Sequence, residues 1–402
     1  MRGPACVAEG RAQRGWRLAR GRAGGRPEAG AGGRPEACGT FSTCGPGGPR
    51  PSHVARRGAE CRVGNRLRRE GSEVDNVTSM AEFDGVVEWL LGSDVSIRWQ
   101  VMRDLLDAPQ PDWTAERAKV ETEGWGARLL LYEDDDGQWA GGSFRPQGFE
   151  MREWREIGQP WTATTFSLTQ LRDFGLDPAS ARARRAVALI GANSHWEEGG
   201  QPFWEGEVEE CINGRIVADG AYFGVDVSPI VARLVGERLD DGGWNCERVN
   251  GSVRSSFATT INVLEGLLEY ERATGGTPES REARRSGEEY LLERHLFRRL
   301  SSGEPADEQF LTLTYPPRWR YDILRALDYF RSAAAVGGMP PDERLHEAVE
   351  HTRSRRLADG TWLLDWLPGG RVWFQMDDGV GQPSRWVTLR AMRVLRWVDE
   401  QT

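Results

Sequence analysis

This chain has no run of apolar residues approaching the ~20 that a membrane-spanning helix needs, so it is not expected to cross a bilayer. No apolar run of adequate length follows the early arginines either, which excludes a secretory signal of the usual form. Four of the six cysteines (Cys6, Cys38, Cys44, Cys61) fall within the first 79 residues, leaving only Cys211 and Cys246 beyond them. A disulfide framework is therefore excluded for so large a core. Strand signals are scarce, which points to an all-α class. Lysine occurs once, at Lys119, a coding bias that carries no functional reading. Together these absences lead to the expectation of a soluble, cytoplasmic protein.

What is present divides at Met80. Residues 1–79 are rich in Arg, Gly and Pro, contain GGRPEA twice (Gly24 to Ala29, Gly32 to Ala37) and lack apolar periodicity, as a disordered arm does. Met80 opens the first well-patterned segment, AEFDGVVEWLLG, and is an alternative start. The arm holds 15 arginines against 7 acidic residues, near +8; set against a chain total of −9, this leaves residues 80–402 near −17. A body so acidic repels nucleic acid, which is excluded as its partner.

Six stretches with a shared pattern run through that body, beginning WQVMRDLL at Trp99, TTFSLTQL at Thr164, NGRIVADG at Asn213, TTINVLEG at Thr259, RYDILRAL at Arg320 and WVTLRAMR at Trp386. Their starts lie roughly 45 to 65 residues apart, a period of stacked helical hairpins. Between them lie further helical segments, near 112–131, 178–192, 228–239, 279–300 and 341–357, with 81–91 preceding the first. Asp177-Pro178, Ser228-Pro229 and Thr277-Pro278 place proline at the first helical position after a capping residue. The Gly275-Gly276 and Gly337-Gly338 pairs stop the preceding helices. The proline-started set is charged on most faces and suits an outer layer; the other set suits an inner one. Six outer and six inner helices predict an (α/α)6 toroid, and the same hairpins stacked openly would make a solenoid.

Three connecting loops carry Asp-Gly-x-Trp, at Asp136 to Trp139, Asp241 to Trp244 and Asp359 to Trp362. In this the chain, over about 85 to 400, resembles the terpenoid cyclase and prenyltransferase toroids, which include squalene-hopene cyclase-like proteins. Those proteins repeat Q-x-x-D-G-x-W between an outer helix and the next inner one. Here the Gln position is held by Glu133, Arg238 and Arg356. Glu207-Val208-Glu209-Glu210 looks like the D-x-D-D acid motif of the squalene-hopene cyclases with each Asp lengthened to Glu. By that resemblance Glu209 is the proton donor, with Glu207 and Glu210 beside it. Packing and desolvating carboxyls raises one pKa, so that a neutral acid survives at pH 7. The plainer reading is three glutamates favouring a helix macrodipole.

No resident cofactor is the leading expectation, and zinc is the alternative. Cys211 and Cys246, with His295 downstream, offer the thiolate and imidazole donors zinc prefers, as in related toroids that bind it at the cavity mouth. Neither of those families' spacings is met: no Asp-x-Cys opens an inner helix, and no Cys-His dipeptide occurs. The pair serves equally as inert packing. Met376-Asp377-Asp378-Gly379 and Asp134-Asp135-Asp136 lack the D-D-x-x-D spacing of magnesium-diphosphate sites and read as loop caps.

Expected cavity residues are Trp161, Asn213, Tyr222, Trp319, Tyr321, Asp322, Arg385 and Trp386, with Tyr315 and Arg318 in the same mix of aromatic and charged side chains. Aromatic faces of this kind stabilise carbocations. The inner stretches also carry Arg98, Arg103, Asp104, Arg215, Asp219, Asp322, Arg325, Asp328, Arg390 and Arg393, each of which must pair or face a polar cavity. Such charges count against a greasy chamber for squalene and favour a diphosphate-bearing, glycosidic or peptide ligand. Two functions follow: an enzyme resembling terpenoid cyclases or prenyltransferases, acting on an isoprenoid or other small ligand in a central cavity, and a non-catalytic helical-repeat module binding a peptide, glycan or lipid.

Overall fold

The computed structural model describes residues 83–401. The expected arm over 1–79 and the alternative start at Met80 lie outside the described residues. Residues 83–91 are helical (α1), followed by α2 (Val95–Asp104), α3 (Gln110–Ala118), α4 (Gly124–Leu130), α5 (Met151–Ile157), α6 (Thr164–Phe174) and α7 (Ala181–Asn193). Then come α8 (Glu210–Tyr222), α9 (Ser228–Gly236), α10 (Phe257–Thr274), α11 (Pro278–Leu292), α12 (Ile323–Gly337), α13 (His346–Ser354) and α14 (Arg385–Asp399). The described residues form no strand, only isolated bridges. None of their helices is long and apolar enough to cross a membrane.

All six patterned stretches are helical, and in four of them a side chain caps the start: Asp94, Ser256, Asp322 and Ser384. Helix α2 begins at Val95, four residues before Trp99, because the Asp94 carboxylate accepts the Ser96 N–H at 2.8 Å. Helix α12 waits until Ile323 because Asp322 caps it. Thr277-Pro278 behaves as expected, in a capping box with Ser280. Asp177-Pro178 does not: Ser180 caps α7, and Asp177 closes a separate turn by accepting the Ala179 N–H. Ser228 lies inside α9 rather than before it, its N–H taken by Asp226. The stretch at 112–131 is broken in two, since Gly124 takes a left-handed φ of 66° and the next N–H, that of Trp125, is tied to Asp94.

The two helix sets differ in burial as their composition implies. In α7 only Ala183, Ala186 and Ile190 are buried, one stripe at helical spacing, and α3 buries none of its residues. In α8 every residue from Ile212 to Ala221 is buried. Helices α2, α6, α8, α10, α12 and α14 each pack on the next, and α14 packs on α2. The α8–α10 contact is so close that a Cβ on Gly214 would sit 2.4 Å from the Asn262 carbonyl and one on Gly266 2.3 Å from that of Gly214. Arg393 of α14 reaches α2, donating to Gln100 Oε1 at 3.0 Å and Asp104 Oδ2 at 3.2 Å.

The three Asp-Gly-x-Trp turns are built alike. Each indole N–H donates to a carbonyl ten residues upstream in the preceding helix: Trp139 to Leu129 (2.9 Å), Trp244 to Leu234 (2.7 Å) and Trp362 to Thr352 (2.7 Å). Each tryptophan N–H is received by a threonine hydroxyl of the following helix, Thr164, Thr260 or Thr388. The turn glycines have φ of 87°, 97° and 83° and press on the next hairpin: Gly137 on Leu189, Gly242 on Ser286, and Gly360 on Val86 of α1. The last turn thus seats on the first described helix.

Between these turns lies a second type that the sequence reading missed. His195–Pro202 and Arg298–Pro305 each form one bridge, and Gly200 donates to Trp196 O as Gly303 does to Arg299 O, both at 2.8 Å. The two turn types alternate along the chain, so the repeating unit is a pair of hairpins.

Candidate functional site

A cavity of about 60 Å³ is lined by Arg172 and Asp173 (α6), Arg215 (α8), Glu265 (α10), Arg325 (α12) and Arg390 (α14), with Arg318 from the loop before α12. Three of these arginines have carboxylate partners. Arg172 lies 3.0 Å from Asp219 and 3.2 Å from Asp173; Arg325 grips Glu265 through two nitrogens at 2.6 and 2.8 Å; Arg390 meets Asp328 at 3.1 Å.

The other two do not. Arg215, 9% exposed, donates to Asn262 Oδ1 at 3.2 Å and to the Arg318 carbonyl, and forms no ion pair among the described residues. The Arg318 guanidinium, 6% exposed, makes neither a hydrogen bond nor an ion pair among them; it lies 5.3 Å from the centre of the Trp161 ring. Burial and neighbouring Arg325 push Arg215 down to about 10, and burial and Arg215 push Arg318 down to about 9. Both remain cations at neutral pH.

A second cavity of about 60 Å³ adjoins the first through Pro316 and Arg318. Its lining is mainly apolar: Leu364, Leu367, Val372, Phe374 and Met376 from the segment between Trp362 and α14, facing Tyr315. That segment is anchored across the start of α6, with the Trp161 indole donating to Gly369 O (2.8 Å) and the Trp373 indole to Ser167 Oγ (3.1 Å).

Of the residues expected at the cavity, Tyr315 lines the second cavity and Arg318 lines both, and the other eight are placed elsewhere. None of Trp161, Asn213, Tyr222, Trp319, Tyr321, Asp322, Arg385 and Trp386 lines either cavity, because their polar or aromatic groups are engaged in packing and turns. The Asn213 amide both donates to and accepts from the backbone of Glu207, at 2.7 Å each way. The Tyr222 hydroxyl donates to Leu176 O, that of Tyr321 to Leu296 O, and the Trp319 indole to Gln159. Arg385 covers the Trp89 ring, and Trp386 stacks on Tyr315 at 4.3 Å. Tyr222 also ends α8. Of the inner charges singled out from sequence, Arg215, Arg325 and Arg390 reach the centre; Arg172 and Glu265 were missed, although Leu171-Arg172-Asp173 interrupts an apolar pattern with charge.

At the start of α8 the glutamates take separate roles. Glu207 is buried and accepts the Glu209 N–H at 2.8 Å; Glu210 is buried against Arg248 at 2.7 Å; burial raises both carboxyls above the usual range. Glu209 Oε2 accepts from Cys211 Sγ at 3.5 Å. Glu209, Cys211 and Cys246 bring three ligand atoms within 4.8 Å of one another. His295 is not among them: it is exposed on the turn after α11.

Asp322 gives a pH signature. Burial raises its carboxyl to about 6, so its charge destabilises the fold above that pH and the penalty fades as the pH falls toward the unfolded value. Asp322→Asn keeps a capping oxygen. It is expected to stabilise the protein by on the order of 2 kcal/mol above pH 7 and by about half as much near pH 5. Urea midpoints at the two pH values check this; an equal gain at both would assign it to something other than the charge.

No protein-family model matches this chain, and no curated protein matches it.

Proposed function

We propose that the inner and outer helices close into an (α/α)6 ring of the terpenoid cyclase and prenyltransferase kind, whose centre binds the anionic head of a small amphiphile. The observation that carries this reading is the pair Arg215 and Arg318, two adjacent buried cations that form no direct ion pair among the described residues, the nearby carboxylates Asp219 and Glu265 being bound to Arg172 and Arg325. Leaving a buried charge unpaired costs several kcal/mol, and an oxyanion between them removes that cost while accepting their guanidinium donors. The apolar second cavity, sharing Arg318 with the first, suits the ligand's tail. Ring closure is supported by the return of α14 to α2 and of the third turn to α1. Within the resemblance, the charged centre favours an isoprenyl phosphate or diphosphate over a hydrocarbon such as squalene. Binding, rather than a named reaction, is what these residues support.

Calorimetric titration tests it. Inorganic phosphate and diphosphate are expected to bind at one site per chain, a prenyl phosphate more tightly than phosphate, and Arg215→Gln to weaken all three by about 10-fold or more, the value of one charge-assisted bond. Heats equal to those of a chloride blank at matched ionic strength would refute the reading.

A further inference from the structure

A second cluster, Glu209, Cys211 and Cys246, gathers three metal-ligating side chains at the start of α8 and in the turn after Trp244. A tetrahedral zinc with a thiolate at about 2.3 Å and a carboxylate oxygen at about 2.0 Å sets those two ligand atoms about 3.5 Å apart. Cys211 Sγ and Glu209 Oε2 are 3.5 Å apart, and Cys246 Sγ falls within 4.8 Å of both. We propose that Glu209, Cys211 and Cys246 form a zinc site of two thiolates and one carboxylate, with the fourth position left for water or a ligand.

Two elements hold the donors in place. Glu209 and Cys211 flank the first residue of α8, where the Glu209 N–H is fixed by Glu207. Cys246 follows the second Asp-Gly-x-Trp turn, and Thr259 Oγ1 of α10 is 3.3 Å from both its N and its Sγ. The surroundings suit a cation: Glu207, Glu210 and Glu237 lie close by, and Arg248 is committed to the last two. Sulfur donors select zinc over magnesium or calcium. Cys211 and Arg215 are four residues apart on one face of α8, so the metal would sit about 6 Å along the helix from the arginine level. The site does not depend on the anion reading and can fail without it.

The test uses the full chain with Cys6, Cys38, Cys44 and Cys61 replaced by serine, so that Cys211 and Cys246 are the only thiols. After reduction, one equivalent of zinc is expected by elemental analysis. Cobalt(II) should give the visible bands of a tetrahedral site with a thiolate-to-metal band in the near ultraviolet. Cys246→Ser should reduce that band by about half and weaken zinc more than about 100-fold, beyond the loss expected for an outer-shell partner. Glu209→Gln should weaken zinc while keeping the thiolate band. Circular dichroism of each variant separates loss of metal from loss of fold. Absence of metal in the reduced protein, equal zinc affinity in folded Cys246→Ser, or an octahedral cobalt spectrum without thiolate intensity would overturn the proposal.

Discussion

Arg318→Met is expected to raise the stability of the ligand-free protein by about 1–4 kcal/mol, the range seen when poorly compensated buried charge gives way to apolar side chains of similar volume. Most substitutions at a site only 6% exposed would do the reverse. The difference lies in what Arg318 lacks. Its guanidinium is out of water beside Arg215 and lies 5.3 Å from the centre of the Trp161 ring, against which methionine keeps an unbranched chain. The sign in pH follows from a cation pushed down to about 9: the penalty is constant at neutral pH and relaxes as the pH rises past 9. The gap between variant and wild type therefore narrows in mild alkali. Under the proposed anion reading the variant is also expected to gain less stability from added phosphate than the wild type does. Urea unfolding in phosphate-free buffer reads all of this, and a less stable Arg318→Met would show that the arginine is already satisfied.

Asp328→Asn should act in the opposite direction and by more, costing about 3–5 kcal/mol at neutral pH. Asp328 is buried on α12 and faces Arg331 at 3.0 Å, Arg390 at 3.1 Å and the guanidinium of Arg393. Burial alone would raise its carboxyl, yet these three arginines hold it far below the usual range. Neutralising it leaves three cations around an amide. Because the carboxyl is depressed, its contribution is present in full above the unfolded value near 4 and is lost as the pH falls below it. The gap between the two proteins should therefore begin to narrow only below about pH 4, and chemical denaturation at pH 7 and pH 3 checks that it is smaller, though still present, at the lower pH. A small loss at pH 7 would mean that Asp104 takes over the pairing.

The helical class and the six patterned stretches were legible because apolar periodicity and capping residues are local signals. Thr277-Pro278 worked for that reason. Asp177-Pro178 failed because Ser180 offers a competing cap three residues on. Helix α5, seven residues between two turns, is too short for periodicity to register. The Asp-Gly-x-Trp turns were visible as letters, but the Thr164, Thr260 and Thr388 hydroxyls that complete them lie 16 to 26 residues downstream. The centre was half legible. Charge on inner helices signalled a polar interior, yet which arginines end without a carboxylate is settled by contacts such as Arg215 with Arg318, 103 residues apart. Glu209 beside Cys211 was visible as an acid at a helix start; its proximity to Cys246 was not.

The return of α14 to α2 has a consequence for the order in which the protein matures. Arg393 meets Gln100 across 293 residues of sequence, and Arg390 reaches the central cavity from the same helix. A growing chain that stops short of residue 385 has neither the seam that joins late segments to early ones nor a complete basic centre. Under the proposed anion reading, competence to bind is therefore acquired in one late step, when α14 joins the chain.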